Sequence, residues 1–348
     1  QVDSFMFLNE KLVYGPVSRL RIEYVIIIPK NFLEEKMKKQ NDFPYSDSNK
    51  RYHTYDYAMR KQFGKKMARV CLDGGMSCPN LDGKKGTGGC IYCLNGSKAP
   101  EGNTELSITD QLRQGMALMQ KKWPQAGFIA YFQAHTNTYA PVERLKCLYN
   151  EALAVKGIEG LAIATRPDCL SDGVCELLEY FSKKTYFTVE LGLQTVHDET
   201  GACINRCHTW EDFLSGYEKL QKRGILTGIH LIDGLPGESP DMMIESARKI
   251  GMLRPYLVKL HLLYVEKGTV LSGWYLDRKY IPMERDAFIQ TVCSQLEVLP
   301  PDTIIGRLTG DGEAQTLIAP QWSRKKLCVL NDVDKEFIKR DSWQGKFY

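Results

Sequence analysis

The stretch ARVCLDGGMSCPNLDGKKGTGGCIYC, residues 68–93, decides how the rest of the chain is read. It opens on a short apolar run, Ala68–Asp73, and passes through Gly74 and Gly75 into a loop that carries Cys78, Cys90 and Cys93. Cys90 and Cys93 stand three residues apart, so one turn brings both sulfurs to the same side. Cys78 joins them from the far end of an eleven-residue loop with four glycines. Glycine lets backbone N–H groups approach sulfur closely, which stabilises a thiolate. Three readings stay open on these residues. A structural zinc site wants four closed ligands, and no second C-x-x-C pair follows, although Cys71 could serve as a fourth. Unligated core cysteines would not need so many glycines. A 4Fe–4S cluster on three thiolates leaves one iron open to a small ligand.

Outward from this loop the chain alternates. Strand candidates are Ala68–Asp73, Gly127–Gln133, Gly160–Arg166, Phe187–Gln194, Leu226–Asp233 and Leu257–Leu263, rich in Val, Ile, Tyr and Phe as buried parallel strands are. Amphipathic stretches separate them. Leu112, Met116 and Met119 follow Thr109 at helical spacing. Thr209 and Asp212 form a capping-box pattern before Phe213 and Tyr217, and Ser239-Pro240 is an N-cap and first-turn pair. A helix near Glu284–Leu296 and a seventh strand near Thr303–Thr309 follow. Six strands alternating with helices predict a parallel α/β sheet, open or curled into a barrel. The cysteine loop would then sit after the first strand, where such folds place their sites.

The predicted organisation is an N-terminal extension over 1–50, a βα core over 51–300, and a capping segment over 301–348 that covers the barrel's opening. Eleven cysteines, an odd number, argue against a disulfide framework and for metal or catalytic use. No apolar run is long enough for a bilayer, so no membrane partner and a cytoplasmic location are expected. Net charge is only +4, but residues 30–70 hold eleven Lys/Arg against five Asp/Glu. That stretch is either a phosphate-neutralising patch or a solvated helix face.

The cysteine loop resembles the radical S-adenosylmethionine superfamily, in a form with a longer first spacing than most members have. It is most similar to the YhcC/YtqA-like family and to the branch containing the Elongator catalytic subunit. Matching segments include Leu72-Asp73-Gly74-Gly75, Tyr131-Phe132-Gln133-Ala134, Ala164-Thr165-Arg166-Pro167-Asp168, Glu190-Leu191-Gly192-Leu193-Gln194-Thr195, Asp233-Gly234-Leu235-Pro236-Gly237-Glu238 and Leu308-Thr309-Gly310-Asp311. The resemblance implies a partial (β/α)6-type barrel. It implies Cys78, Cys90 and Cys93 as ligands of a 4Fe–4S cluster, with S-adenosyl-L-methionine on the open iron as source of a 5′-deoxyadenosyl radical. A reductant such as flavodoxin or ferredoxin would supply the electron. By the same resemblance Tyr92 packs near the adenine, Glu190 and Gln194 contact the nucleoside, and Arg166 meets the carboxylate. Gln133 and Asp233, at strand ends, are further cofactor-binding candidates. The Elongator-like affinity points to tRNA, with chemistry at the wobble uridine. Acetyl transfer is not expected of a chain this short. A small metabolite is the alternative substrate, and a zinc-stabilised nucleic-acid-binding protein the alternative without radical chemistry. The scattered histidines, His135, His208, His230 and His261, receive no catalytic role. Cys169, Cys175, Cys203 and Cys207 are read as core or surface cysteines rather than as an auxiliary cluster.

Overall fold

In the computed structural model, which describes residues 43–94, 105–310, 312 and 315–348, every strand expected from the sequence forms, with ends shifted by at most two residues. Helix α1 (Tyr55–Phe63) leads into β1 (Met67–Leu72), followed by α2 (Ile108–Lys122), β2 (Gly127–Phe132), α3 (Val142–Ala154) and β3 (Ile158–Thr165). Then come α4 (Asp172–Ser182), β4 (Tyr186–Gln194), α5 (Asp198–Cys203), α6 (Trp210–Gln221), β5 (Leu226–Asp233) and α7 (Pro240–Met252). The chain closes with β6 (Leu257–Leu262), β7 (Val265–Glu266), α8 (Val270–Leu276), α9 (Arg285–Glu297), β8 (Ile304–Arg307), β9 (Leu317–Ala319) and α10 (Lys326–Lys339). Residues 1–42 of the expected extension, with Lys30, Lys36, Lys38 and Lys39, lie outside the described residues, as do Gly96 and Asp311.

Local chemistry starts and stops these elements. The Thr209–Asp212 capping box forms at α6, and Ser239 caps α7 with Pro240 in its first turn. Helix α2 is capped by Ser107, one turn ahead of the Leu112 stripe: Ser107 Oγ accepts from Asp110 N at 3.1 Å, while Thr109 N donates to Glu151.

Seven strands pair in parallel in the order β1-β2-β3-β4-β5-β6-β8. Side-chain bonds across the concave face decide between an open and a curled sheet. Lys259 on β6 donates to Tyr131 Oη on β2 at 3.0 Å. Four strand spacings would separate those strands by roughly 19 Å in a flat sheet, so the sheet curls into a partial barrel. Helix α1 touches both β1 and β8, and the residues before it pair with the free edge of β8, where Ile305 N donates to His53 O at 2.8 Å. Its Met59, fully buried, packs with Met67, Ile129, Ala162 and Leu257 and fills the N-terminal end of the lumen. On each strand alternate side chains face outward to the helices: Phe187, Val189, Leu191 and Leu193 of β4 lie in the main core, while Thr188, Glu190 and Gly192 face inward.

The C-terminal segment divides. Strand β9 pairs antiparallel with β7, just past β6, and Ile318 and Ala319 pack with Ile91 and Tyr92 of the cysteine loop. Helix α10 packs on α9 in the outer layer. The last residues reach the opposite end of the barrel, where Gln344 Nε2 donates to Pro300 O at 2.6 Å and to Thr303 O at 2.8 Å, before β8 begins. Strand β9 therefore lies against the cysteine loop, and the tail beyond it braces the outer layer and the barrel floor. Among the described residues no helix is long and apolar enough to cross a membrane.

Candidate metal centre and barrel lumen

The cysteine loop leaves β1 through Asp73, whose Oδ1 accepts from Gly75 N at 2.9 Å. It folds on its own backbone. Leu81 N donates to Cys78 O at 2.8 Å, Lys85 N to Pro79 O at 2.8 Å and Cys93 N to Cys90 O at 2.9 Å. Gly88 and Gly89 sit at φ of 78° and 75°, a region that L side chains rarely adopt. Gly86 is required for space: a Cβ there would stand 2.2 Å from Asn80 Oδ1 and 2.7 Å from Cys207 Sγ.

A second segment clamps this loop. Between α5 and α6, Asn205 and Cys207 both have positive φ, 54° and 59°. Asn205 Nδ2 donates to Gly89 O at 2.7 Å and Thr87 O at 3.1 Å, and Asn80 Nδ2 donates back to Asn205 O at 2.5 Å. Arg206, the largest fully buried side chain, spends its donors on Leu193 O, Thr195 O and His208 O, at 2.6–2.9 Å, and on Asp198 at 3.0 Å. The end of β4 is thereby tied to the clamp and the clamp to the cysteine loop.

Cys78, Cys90 and Cys93 are free thiols. A hydrogen bond with Cys93 draws the Cys90 thiol down to about 7 against the opposing effect of burial, and the nearby Arg166 guanidinium helps. The same hydrogen bond, burial and the charges of Cys90 and Cys78 push Cys93 well up. Three thiols in mutual electrostatic reach, one already acidified and facing a fixed cation, form a donor set that fits a thiolate-bound iron–sulfur cluster. Among the described residues no three His, Cys, Asp or Glu groups converge closely enough for a single ion. Asn80 Nδ2 lies 3.7 Å from Cys90 Sγ, a weak donor to sulfur.

A second polar centre lies inside the barrel. Glu190, fully buried on β4, is bonded by Arg69 of β1, by Tyr131 Oη at 2.8 Å, by His230 Nε2 at 2.8 Å and by Lys259 Nζ at 2.5 Å. Gly228 makes room, since a Cβ there would stand 3.1 Å from Glu190 Cγ. Burial opposes ionisation of Glu190, but Arg69 and Lys259 outweigh it and hold the carboxyl well below its usual range. Burial, opposed by Glu190 and reinforced by Arg69 and Arg307, brings Lys259 down to about 7. Burial and Lys259 lower His230 to about 4, and burial with His230 and Arg307 holds His261 well below the usual imidazole range.

The predicted site residues divide between these centres. Tyr92 hydrogen-bonds the Cys90 thiol. Arg166 makes a bidentate pair with Asp168, both contacts 2.9 Å, and donates to Arg206 O at 2.8 Å and Cys207 O at 3.2 Å, so it braces the clamp beside the thiols. Gln133 lies on the concave face, where its Oε1 accepts from Cys71 Sγ at 3.1 Å. Gln194 ends β4 at a φ of 73°. Asp233 does not join them. It shares the outward parity of Ile229 and Leu231, takes a 2.6 Å bond from Gln295 of α9, and is pushed by burial to about 7. Sequence reasoning missed Arg69, Lys259, Arg206 and Asn205. For Arg69 and Lys259 the available signal was parity: each stands two residues from another inward position of its strand. The described part of the basic stretch is largely paired, with Lys50 on Asp334, Lys65 on Glu159, and Arg60 and Lys66 on Asp56.

The sequence profile of the Radical SAM superfamily matches residues 83–250, and that of the Radical_SAM C-terminal domain matches residues 255–339. The chain is 44% identical to the protein YtqA of Bacillus subtilis (strain 168) over 313 residues, 90% of this chain and 97% of that one. It is 27% identical over 156 residues to the tRNA uridine(34) acetyltransferase of Dehalococcoides mccartyi, 44% of this chain and 33% of that protein. The solved structure of Elp3 from Methanocaldococcus infernus, with residues 1–46 deleted, superposes with a TM-score of 0.61 at 18% identity, over 80% of this chain and 64% of that one. It shares the fold.

Proposed function

The chain belongs to the radical SAM superfamily, and from that premise we propose that it is a radical S-adenosylmethionine enzyme acting on the wobble uridine of tRNA. The observation that carries the reading is three free thiols, Cys78, Cys90 and Cys93, in one glycine-rich loop beyond β1. They would hold a 4Fe–4S cluster with one iron left for the amino and carboxylate groups of S-adenosylmethionine. When bound, that pair supplies a one-electron cleavage to methionine and a 5′-deoxyadenosyl radical, which removes hydrogen from a substrate.

This chain's own residues prepare the site. Arg166 places a cation beside Cys78 and Cys90, and Asn80 donates toward Cys90, so thiolate charge is offset by protein groups. Asn205 and Arg206 fix the loop to β4 and restrict its motion. Tyr92, Gln133 and Gln194 are the side chains we assign to the nucleoside of S-adenosylmethionine. Glu190 and Arg166 serve it through charge, because their hydrogen bonds are taken by protein partners. Asp233 supports the end of β5 from behind. Electrons would come from a reductant such as flavodoxin or ferredoxin in the cytoplasm.

The tRNA half of the reading draws on the likeness to the tRNA uridine(34) acetyltransferase and on Lys84 and Lys85, exposed on the cysteine loop. Phosphate contacts by such lysines position a polynucleotide without reading its bases. The test has two parts. Protein reconstituted with iron and sulfide without oxygen should be brown and, when reduced, release 5′-deoxyadenosine. A colourless, zinc-loaded protein with no cleavage overturns the cluster. Nucleoside mass spectrometry of tRNA from a strain lacking the gene should show an altered wobble uridine; an unchanged profile overturns the substrate.

A further inference from the structure

The lumen carries more positive charge than its carboxylate balances. Glu190 faces Arg69 from β1 and Lys259 from β6, and Arg307 at the end of β8 pairs in register with Lys259. Arg307 makes no ion pair among the described residues, yet its charge reaches His230, His261 and Lys259. The two imidazoles lie 5.1 Å apart between centroids. Two ring or guanidinium nitrogens in this wall, Arg69 Nη2 and His261 Nε2, are buried with no hydrogen-bond partner. A purely structural buried network is neutral overall and satisfied at each donor, because an uncompensated charge in low dielectric is costly. Among the described residues this one sets Arg69, Lys259 and Arg307 against one carboxylate and leaves two nitrogens without a partner.

We propose that the wall formed by Arg69, Lys259, His261 and Arg307 binds an oxyanion of the substrate, a carboxylate or a phosphate, inside the barrel. Small residues flank the carboxylate: Ala164 on β3 pairs with Glu190 and Gly192 on β4 with His230, and the Gln194 amide lies over Gly192, where a Cβ would stand 2.9 Å from its Nε2. Lys259 lies three residues before the end of β6, below the level at which the cysteine loop leaves β1. A barrel of this strand number admits a side chain or a small group, not a passing nucleic-acid backbone. The oxyanion therefore terminates a group swung into the lumen and is not a phosphodiester within a strand. The inference rests on the proposed function in one respect, that the substrate reaches the lumen. The groups facing Lys259 are Arg69, Tyr131, Glu190, His230, His261 and Arg307, so an anion beside it restores its proton.

The test uses the full chain purified without oxygen, titrated calorimetrically with sodium acetate and with inorganic phosphate at constant ionic strength. One probe should saturate. Acetate alone identifies a carboxylate and phosphate alone a phosphoryl group. At pH 8 the binding heat should vary with buffer ionisation enthalpy, reporting proton uptake that Lys259→Met removes. Arg307→Gln should weaken the binding about tenfold, as loss of a charge-assisted contact does. Glu190→Gln should tighten it, a result that a misfolded variant cannot give. Equal, non-saturating heats from both probes, unchanged in Arg307→Gln, overturn the proposal. So does stoichiometric displacement of the probe by S-adenosylmethionine, which would assign the wall to that cofactor's carboxylate. Wobble-uridine analysis scores the tRNA reading independently, so either can fail alone.

Discussion

The mouth of the barrel is assembled from loop residues and its lumen from strand interiors, and the two hold their charges by different means. At the mouth, backbone in left-handed conformations at Gly88, Gly89, Asn205 and Cys207 brings distant segments together. Its thiols are offset by Arg166, which is itself anchored to Asp168. Around Glu190 no left-handed backbone is needed. Strand parity turns Arg69, Glu190, His230 and Lys259 inward, and the curl of the sheet brings them into contact. The mouth can therefore lose a side chain without touching the core, whereas the lumen cannot.

Removing one group from each region sharpens the contrast. Cys90→Ala should abolish iron–sulfur absorbance and 5′-deoxyadenosine release altogether, with a melting temperature close to that of the parent. Retained chromophore would break the assignment of the mouth. Glu190→Ala should cost about 3–5 kcal/mol in urea unfolding, because it strands buried cations. Adding Lys259→Met should recover part of the loss. A cost below about 1 kcal/mol, the level of an exposed pair, would mean that water already screens the lumen.

The outward face offers a third comparison. Burial raises Asp233 from the ordinary carboxylate value of 3.8 to about 7. Between those values the folded protein keeps a proton that the unfolded chain releases. The stability associated with it is present below pH ~4 and lost as pH rises through ~7, with a slope of at most about 1.4 kcal/mol per pH unit. Unfolding measured across that window should show the fall, and Asp233→Asn should flatten it. The smallest expected effects come from two glycines. Gly228→Ala crowds Glu190 and should cost about 1–3 kcal/mol of global stability. Gly86→Ala pushes on Asn80 and Cys207 and should lower iron content at nearly unchanged stability. The reverse pattern would erase the distinction between the regions.

Much of this was legible in residue order. Strand periods, the Thr209–Asp212 box and the Ser239-Pro240 start are local effects of side-chain alternation and capping, so they survive without tertiary information. The spacing of Cys78, Cys90 and Cys93 is local too. Asp233 was placed at a strand end by the same reasoning, but a strand end has two faces. Its parity with Ile229 and Leu231 turns it toward Gln295, away from the lumen. Arg69 and Lys259 are not legible strand by strand, because a charge within a single strand looks costly to bury until its partner on another strand is known.

By itself the sequence determined the βα series, the position of the cysteine loop after β1 and the likeness to the superfamily, because each depends on residues near one another in the chain. The tertiary structure decided that the sheet curls. It also decided that Asn205 and Arg206 clamp the loop and that one carboxylate meets cations from strands 69 and 259 residues into the chain. Those contacts join residues far apart in sequence, and their energies exist only when folding removes the water between them.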